Sequence, residues 1–320
     1  MERMQTRKAW AWVMLTCAAL LGPSSMASAQ SKIYEADSML SHLSAGDKAA
    51  VLMVYFGTTH ADAQAKVFEA LTAQVRGTFP RVEVREAYSS RIVVKRLRDR
   101  GVERALPSEA LASLAQEGYT HVLVQPCYLV AGLEWQALQH DVEALRGEFK
   151  ELRLATPLLF YYEDYLALGT LLSKAYPGNR LYMLVGHGTY DASTAQYAML
   201  DKVLTEQGHG NFVVGCIEGY PFYEQALTAV KALRPRRITL VPLMLVFGEH
   251  GKHDILQEWK AQLEKAGYRV EVVQKGLGEL EGIRSRFVEM VGFNLTHRRL
   301  GIMEKKSLYR RTGEKLHASE

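Results

Sequence analysis

Two histidines and one glutamate follow short apolar runs in the second half of the chain and could bind a metal ion. His187 stands between two glycines directly after one apolar run, and Glu218 and His250 follow the next two. Imidazole and carboxylate ligands together suit Co²⁺, Fe²⁺, Ni²⁺ or Zn²⁺. An imidazole, whose ordinary pKa is about 6.5, can also accept a proton near neutral pH. The three side chains together predict a metal site with open coordination positions, although each alone also fits a tight turn, a helix start or a solvated surface.

Short apolar runs alternate with segments of helical period along the chain, which is typical of βαβ units with parallel strands. The last helical segment places Leu280, Ile283, Phe287 and Met290 on one face. The predicted strands are Ala50–Phe56, Val82–Ala87, His121–Gln125, Leu152–Ala155, Leu181–Gly186, Phe212–Gly215, Ile238–Pro242 and Arg269–Val273.

An internal repeat predicts two similar lobes. The pattern P-x-x-L-V-x-G occurs at Pro126–Gly132 and again at Pro242–Gly248, and two further matches lie in the same order. We therefore predict an α/β fold with lobes at 47–161 and 162–293, each an open parallel sheet flanked by helices. The ligand cleft should lie between the lobes, beyond the carboxyl ends of the strands.

The residues at these strand ends are the unusual ones. The first lobe contributes Phe56, Tyr88 and Glu134, and the second contributes the three candidate metal ligands. No G-x-S-x-G sequence is present, and the cysteines after the N-terminal segment, Cys127 and Cys216, lie in no nucleophile motif. Acyl transfer is therefore not expected. The two cysteines could form a disulfide, but burial as small apolar side chains is the stronger expectation.

The first 29 residues have the pattern of a secretory signal peptide. Arg3, Arg7 and Lys8 precede the apolar run from Ala9 to Leu21, and Ala27-Ser-Ala29 ends the segment. The run is too short to span a bilayer, which needs about 20 apolar residues, and no later stretch is long and apolar enough. Export and cleavage after Ala29 predict a periplasmic protein.

Composition and charge describe a globular chain without a nucleic-acid partner. Of its 320 residues, 48% are hydrophobic and 23% charged, and the formal net charge is +4. The signal segment carries +2 and the basic tail at 298–320 carries +4, which leaves the body at about −2. A dedicated nucleic-acid-binding domain would need a basic face on the body itself. The tail is expected to be solvated, with anionic lipid or an acidic partner as the alternative.

Several segments together resemble the anaerobic cobaltochelatases, which insert Co²⁺ into sirohydrochlorin and belong with ferrochelatases to the class II chelatases. The resemblance runs from about residue 50 to residue 291. Its segments are Val54–Thr59, Glu86–Arg91, Lys95–Arg98, Gly186-His-Gly188, Glu218–Pro221 and Pro242–His250.

The resemblance implies roles for individual residues. The metal-binding and proton-accepting histidines of the family fall on His187 and His250, its acidic ligand on Glu218, and an acidic residue near the cleft on Glu134. We take His187 as the first choice for the proton acceptor. A histidine that many relatives carry is replaced here by Tyr128, and export is unusual because cobalamin assembly is normally cytoplasmic.

The substrate that the resemblance implies fits the first-lobe residues. A flat apolar macrocycle suits the rings of Phe56 and Tyr88, and its carboxylates need basic partners such as Arg91. Lys95 and Arg98 could serve as well, or could form a solvated helix face.

The predicted function is therefore a lyase of cobalamin biosynthesis that forms cobalt-sirohydrochlorin, with Fe²⁺ as a second metal substrate. A periplasmic tetrapyrrole or metal carrier without turnover is the alternative, and a bilobal solute-binding protein is a third. The sequence leaves haem binding and assembly into a homo-oligomer open.

Overall fold

A computed structural model describes residues 33–178, 180–248 and 251–313. The chain divides into two compact units, one of which comprises Glu35–Arg299. Of the other unit, the structure describes residues 33–34 and 300–313. The predicted signal peptide at 1–29 lies outside the described residues. In the part of the chain that the structure describes, no helix combines the length and apolar content needed to cross a membrane.

Two four-stranded parallel sheets form the centre of the larger unit, and all eight predicted strands are present. One sheet has the order β3-β2-β4-β5 and the other has the order β7-β6-β8-β9, so the two share one topology. This confirms the predicted α/β fold. Two further short strands, β1 and β10, pair with each other. The strands are β1 (Tyr34–Ala36), β2 (Ala49–Tyr55), β3 (Glu83–Tyr88), β4 (His121–Pro126), β5 (Glu151–Leu154), β6 (Leu181–Gly188), β7 (Phe212–Glu218), β8 (Arg237–Leu243), β9 (Arg269–Val272) and β10 (His297–Arg299).

Helices connect successive strands and cover the sheets. Two π-helical segments, Gln64–Glu69 and Gly251–Trp259, lead into α1 and α8. The α-helices named below are α1 (Ala70–Thr78), α2 (Arg91–Arg98), α3 (Pro107–Gln116), α4 (Leu133–Ala144), α5 (Tyr162–Ala175), α6 (Ala195–Glu206), α7 (Tyr223–Leu233), α8 (Lys260–Lys265), α9 (Glu281–Thr296) and α10 (Ile302–Thr312).

The two sheets share one apolar core, and each has a second core on its other face. All seven residues of β2 and all six of β4 are buried, as expected for parallel strands covered on both faces. The shared core contains Met53 of the first sheet, Leu184 of the second sheet and Phe287 of α9. Ile283, Phe287 and Met290 are buried on α9, as their spacing predicts.

The predicted lobe bounds, 47–161 and 162–293, stay a prediction, because residues 35–299 form one compact unit. We keep the word lobe for each sheet with its helices. The basic tail begins in β10 and continues as α10, and residues 314–320 lie outside the described part.

Candidate functional site

His187 and Glu218 lie at the ends of neighbouring parallel strands. They belong to β6 and β7, and Gly188 lies opposite Glu218 in the register of the two strands. Both strands run further than the sequence pattern predicts, which ended them at Gly186 and Gly215. Glycines at positions 186, 188 and 215 let the neighbouring chains approach closely, so backbone pairing continues past the apolar residues. The two predicted ligands are therefore set on the sheet edge itself.

The loops that follow these two strands are tied to each other. Tyr220 donates its backbone N–H to Thr194 Oγ1 at 2.9 Å, and the Thr194 hydroxyl donates to the Tyr220 carbonyl at 2.8 Å. Gly219 has a φ of +90°, and a Cβ there would lie 2.2 Å from the carbonyl oxygen of Thr189. The backbone after His187 is thus fixed against the backbone after Glu218.

The surroundings of the His187 imidazole indicate which nitrogen accepts a proton. The side chain is half-buried, and Nδ1 lies 3.1 Å from the carbonyl oxygen of Gly188. A carbonyl oxygen only accepts hydrogen bonds, so Nδ1 carries the hydrogen and the lone pair of the neutral ring is on Nε2. The neighbouring Glu218 carboxylate is exposed. The arrangement offers one nitrogen and one carboxylate at a solvent-accessible edge.

The third predicted ligand, His250, lies outside the described residues. Strand β8, which precedes it, pairs with β6 beside His187, since Leu243 lies opposite Gly186. The meeting of His187 and His250 around one ion therefore stays a prediction. Within 33–178, 180–248 and 251–313, three-residue groups with metal-ligand spacing occur elsewhere: Asp37 with His42 and Glu151, and His253 with Asp254 and Glu258.

Three predicted first-lobe residues lie at the corresponding edge of the other sheet. Phe56 directly follows β2 and is 49% exposed. Arg91 begins α2 and is exposed, and Ser90 caps that helix by accepting a hydrogen bond from the Val93 N–H. Glu134 is half-buried in the first turn of α4, where the helix dipole favours a negative charge. Their roles toward a ligand stay predictions.

The stacking role predicted for Tyr88 is wrong. Its ring is fully buried, packs edge-on against Tyr55 and Phe68, and has the Arg104 guanidinium 5.6 Å from its centre. A side chain on the last residue of a strand can point into the core or toward the cleft, and the sequence pattern does not distinguish the two. Tyr88 presents no ring face to a ligand.

Two other first-lobe features have structural explanations. Lys95 and Arg98 form surface ion pairs with Asp99 and Glu109, at 2.7 and 2.5 Å, so both belong to a solvated helix face. Tyr128, which stands where many relatives carry a histidine, is buried, and burial raises its pKa well above the ordinary value. A phenol that stays protonated is a poor metal ligand.

Exposed apolar side chains at the same strand ends were missed by the sequence analysis. Tyr190 is 81% exposed three residues after His187, and Tyr220 and Phe222 are half-exposed shortly after Glu218. Leu133 is half-exposed in the first lobe, next to Glu134. Together with Phe56 they give the edges an apolar surface suited to a flat ligand. An aromatic residue within three positions of a candidate ligand was the signal available in the sequence.

The loops of the two lobes meet at this edge. The backbone N–H of Ala131, which follows β4, donates to Gln196 Oε1 at 2.9 Å. Deeper between the sheets, apolar side chains of both lobes face each other, among them Leu129 and Leu158 opposite Leu245 and Phe287. The carboxyl ends of both sheets therefore border one cleft, as the repeat predicts.

Both cysteines of the described chain are free and buried. Burial raises the pKa of the Cys216 thiol to about 12 and that of Cys127 well above its usual value. The expectation of buried, unpaired thiols is confirmed, and neither thiol is placed as a nucleophile or a metal ligand.

Comparison with known proteins agrees with this architecture. The family model described as Cobalt chelatase (CbiK) matches residues 49–293. The chain is 32% identical over 249 residues to the sirohydrochlorin cobaltochelatase of Salmonella typhimurium, covering 75% of this chain and 94% of that protein. It is 28% identical over 245 residues to the sirohydrochlorin cobaltochelatase CbiKC of Nitratidesulfovibrio vulgaris, covering 73% and 86%. A solved structure of SirB from Bacillus subtilis with Fe³⁺ matches with a TM-score of 0.57 at 16% identity, over 78% of this chain and 96% of that one, which bears on the fold alone.

Proposed function

Because the chain belongs to the cobalt chelatase (CbiK) family, we propose that it is a lyase that inserts Co²⁺ into sirohydrochlorin and forms cobalt-sirohydrochlorin, a step of cobalamin biosynthesis. Two relatives named as sirohydrochlorin cobaltochelatases support this proposal, and they are covered over most of their length. The observation that carries it is the pairing of β6 with β7, which places His187 beside Glu218 at the carboxyl edge of the second sheet.

The proposed chemistry needs a site that binds the ion loosely and accepts protons. Metallation of a tetrapyrrole removes water from the ion and two protons from pyrrole nitrogens. Nε2 of His187 can accept such a proton, since Nδ1 donates to a backbone carbonyl. Imidazole and carboxylate ligands at His187, Glu218 and His250 would hold Co²⁺ less firmly than thiolates, which permits transfer to the macrocycle.

The first lobe would bind the macrocycle. The exposed ring of Phe56 offers a flat apolar surface, and the exposed guanidinium of Arg91 can pair with a peripheral carboxylate. Glu134, half-buried in the first turn of α4, would face the bound ligand from the same side. Tyr190 and Tyr220 of the second lobe extend this apolar surface.

The finer features of the proposal concern metal, compartment and assembly. Fe²⁺ is proposed as a second metal substrate, because the same ligand types bind both ions. The N-terminal sequence supports export to the periplasm with removal of residues 1–29. A homo-oligomer is also proposed.

A metallation assay tests the function directly. Mature protein starting at Gln30 is mixed with sirohydrochlorin and Co²⁺, Fe²⁺ or Ni²⁺ in parallel, and the absorbance change is followed. We expect acceleration with Co²⁺ over many turnovers, and a loss of about a hundredfold or more in the His187→Ala variant. His140→Ala, which removes an exposed imidazole on α4, serves as the matched control and should keep the full rate. An unchanged rate in His187→Ala would contradict the assignment.

The predicted signal peptide is the one feature that favours a periplasmic carrier instead. A carrier would bind sirohydrochlorin or metal in a fixed ratio without turnover. Multiple-turnover kinetics therefore separates the two functions. Metal-free binding of a small solute with closure of the lobes would support a solute-binding protein.

A further inference from the structure

One hydrogen bond joins the loop that carries Glu134 to the loop that follows His187. The side-chain amide of Gln136 on α4 donates from Nε2 to Asp191 Oδ2 at 2.7 Å. Gln136 belongs to the first lobe and lies two residues after Glu134. Asp191 belongs to the second lobe and lies four residues after His187. We call this pair the cleft clamp.

The Asp191 carboxylate also organises its own loop. Its other oxygen, Oδ1, accepts hydrogen bonds from the hydroxyls of Thr189 and Ser193, at 3.0 and 2.5 Å, and from the Ser193 backbone N–H at 3.2 Å. Partial burial opposes ionisation of Asp191, but hydrogen bonds from Ser193, Thr189 and Gln136 outweigh it and lower the pKa below its usual value. A charged acceptor makes each of these hydrogen bonds stronger than a neutral one would be.

The clamp is reinforced by neighbouring contacts between the same loops. The N–H of Ala131 donates to Gln196 Oε1, and a Cβ on Gly132 would lie 3.3 Å from the Ser193 hydroxyl. These contacts fix the loop after β4 against the loop after β6 on both sides of the clamp. They lie at the mouth of the cleft, whereas the apolar contacts between the lobes lie deeper.

We propose that the cleft clamp sets the spacing of the two lobes around the macrocycle, which makes Gln136 a positioning residue. This inference rests on the proposed function, since it assumes that the macrocycle contacts both lobes. The predicted metal ligands all belong to the second lobe, whereas the predicted macrocycle contacts Phe56 and Arg91 belong to the first. Loss of the clamp should therefore weaken binding of sirohydrochlorin and leave binding of Co²⁺ unchanged.

A pair of exchanged side chains tests the clamp. Gln136→Glu places a second carboxylate against Asp191, so the hydrogen bond is replaced by repulsion. Adding Asp191→Asn restores the bond with reversed polarity, because the new amide donates to the new carboxylate. The new side-chain oxygen at position 191 still accepts from Thr189 and Ser193.

The measurement separates binding of the two substrates. We expect Gln136→Glu to raise the KM for sirohydrochlorin about tenfold, with the KM for Co²⁺ within about twofold of the original value. The double variant should return the KM for sirohydrochlorin to within about twofold. A variant that is merely less stable would lower the active fraction, and thus the apparent kcat, without changing either KM.

The matched control uses another hydrogen bond between glutamine and carboxylate in the same fold. Gln74 Nε2 on α1 donates to Glu281 Oε1 on α9 at 2.8 Å, near the end of α1 that leads toward the amino end of β3. Gln74→Glu creates the same repulsion far from the strand ends that border the cleft. It should leave the KM for sirohydrochlorin within about twofold.

Binding of sirohydrochlorin without metal distinguishes failure of the clamp from failure of the proposed function. If the protein shows no turnover, the dissociation constant is measured by absorbance titration in the same four proteins, and the same order of affinities is expected. An unchanged affinity for sirohydrochlorin in Gln136→Glu, or no recovery in the double variant, would overturn the clamp. An equal loss in Gln74→Glu would also overturn it.

Discussion

Gly188 on β6 lies directly opposite Glu218 on β7, and no side chain fits between the two backbones. A Cβ on Gly188 would lie 1.4 Å from the carbonyl oxygen of Glu218, and the φ of Gly188 is +84°. The glycine therefore serves two purposes, because it adopts a left-handed backbone and allows the strands to stay paired to their ends. This pairing places His187 and Glu218 side by side.

The first prediction separates these two purposes. Gly188→Ala should cost about 3 kcal/mol or more of unfolding free energy and abolish metallation, because strands β6 and β7 must separate at their ends. Gly208→Ala is the control, since its φ is +82° and no heavy atom lies within 4 Å of the added Cβ. It should cost only the backbone strain of about 1–2 kcal/mol. Urea unfolding and the metallation rate check both. Equal losses of stability and full activity in both variants would contradict this role of Gly188.

The second prediction contrasts two aromatic residues that the sequence analysis treated alike. Phe56→Ala should change the unfolding free energy by about 0.5 kcal/mol at most, because the ring is half-exposed, and should raise the KM for sirohydrochlorin. Tyr88→Ala removes a fully buried ring and should cost about 3–5 kcal/mol. Thermal unfolding and steady-state kinetics measure the two effects. A stable Tyr88→Ala protein with a raised KM would restore Tyr88 to the binding surface.

The third prediction concerns a histidine far from the cleft that bridges two carboxylates. His42 Nε2 lies 2.7 Å from Asp37 Oδ1, and its Nδ1 lies 2.8 Å from Glu151 Oε2. The hydrogen bond to Glu151 raises the pKa of His42, and the charge of Asp37 adds to this effect. Arg153 also contacts Glu151, at 2.5 Å. Positive charge already inside the group makes it an ion-pair network, with little room for a metal ion.

A pKa that is raised in the folded state has a defined effect on stability. The contribution of His42 is fully present below its unfolded pKa of about 6.5 and disappears as the pH rises through the folded value. The Tm difference between the original protein and His42→Ala should therefore be about 2 °C larger at about pH 6 than at about pH 9. His140→Ala, on an exposed part of α4, should show no such dependence. A difference that grew with rising pH would contradict the protonated bridge.

The fourth prediction concerns the two thiols of the mature chain. Cys127 and Cys216 are unpaired and buried, and burial raises the pKa of Cys216 to about 12. A thiolate is the reactive form, so both should resist a thiol reagent at about pH 8 in the folded protein. Two thiols should react after unfolding in denaturant without reductant. Only background reaction in denaturant would indicate a disulfide instead.

Much of the fold follows from local patterns in the sequence. Each buried parallel strand reads as a short apolar run, because both of its faces are covered, and Ala50–Phe56 and His121–Gln125 are recognised in this way. The repeat of P-x-x-L-V-x-G predicts the common topology of the two sheets, since similar sequences bury similar faces. The segments that match the cobaltochelatases were likewise visible without coordinates.

The candidate site was only partly predictable. His187, Glu218, Phe56, Arg91 and Glu134 all lie at carboxyl ends of strands or in the loops and helix starts that follow, as expected. The direction of Tyr88 depends on neighbours more than ten positions away, Tyr55 and Phe68. Sequence spacing records no such neighbours.

The sequence by itself therefore determined which residue types stand at the sheet edges, because strand ends are marked by local hydrophobicity and glycine. Only the tertiary structure decided which of those side chains point outward, how closely β6 and β7 approach, and that Gln136 reaches Asp191 from the other lobe. These features depend on packing between segments far apart in the chain, and the free energy of such contacts exists only once the lobes have come together.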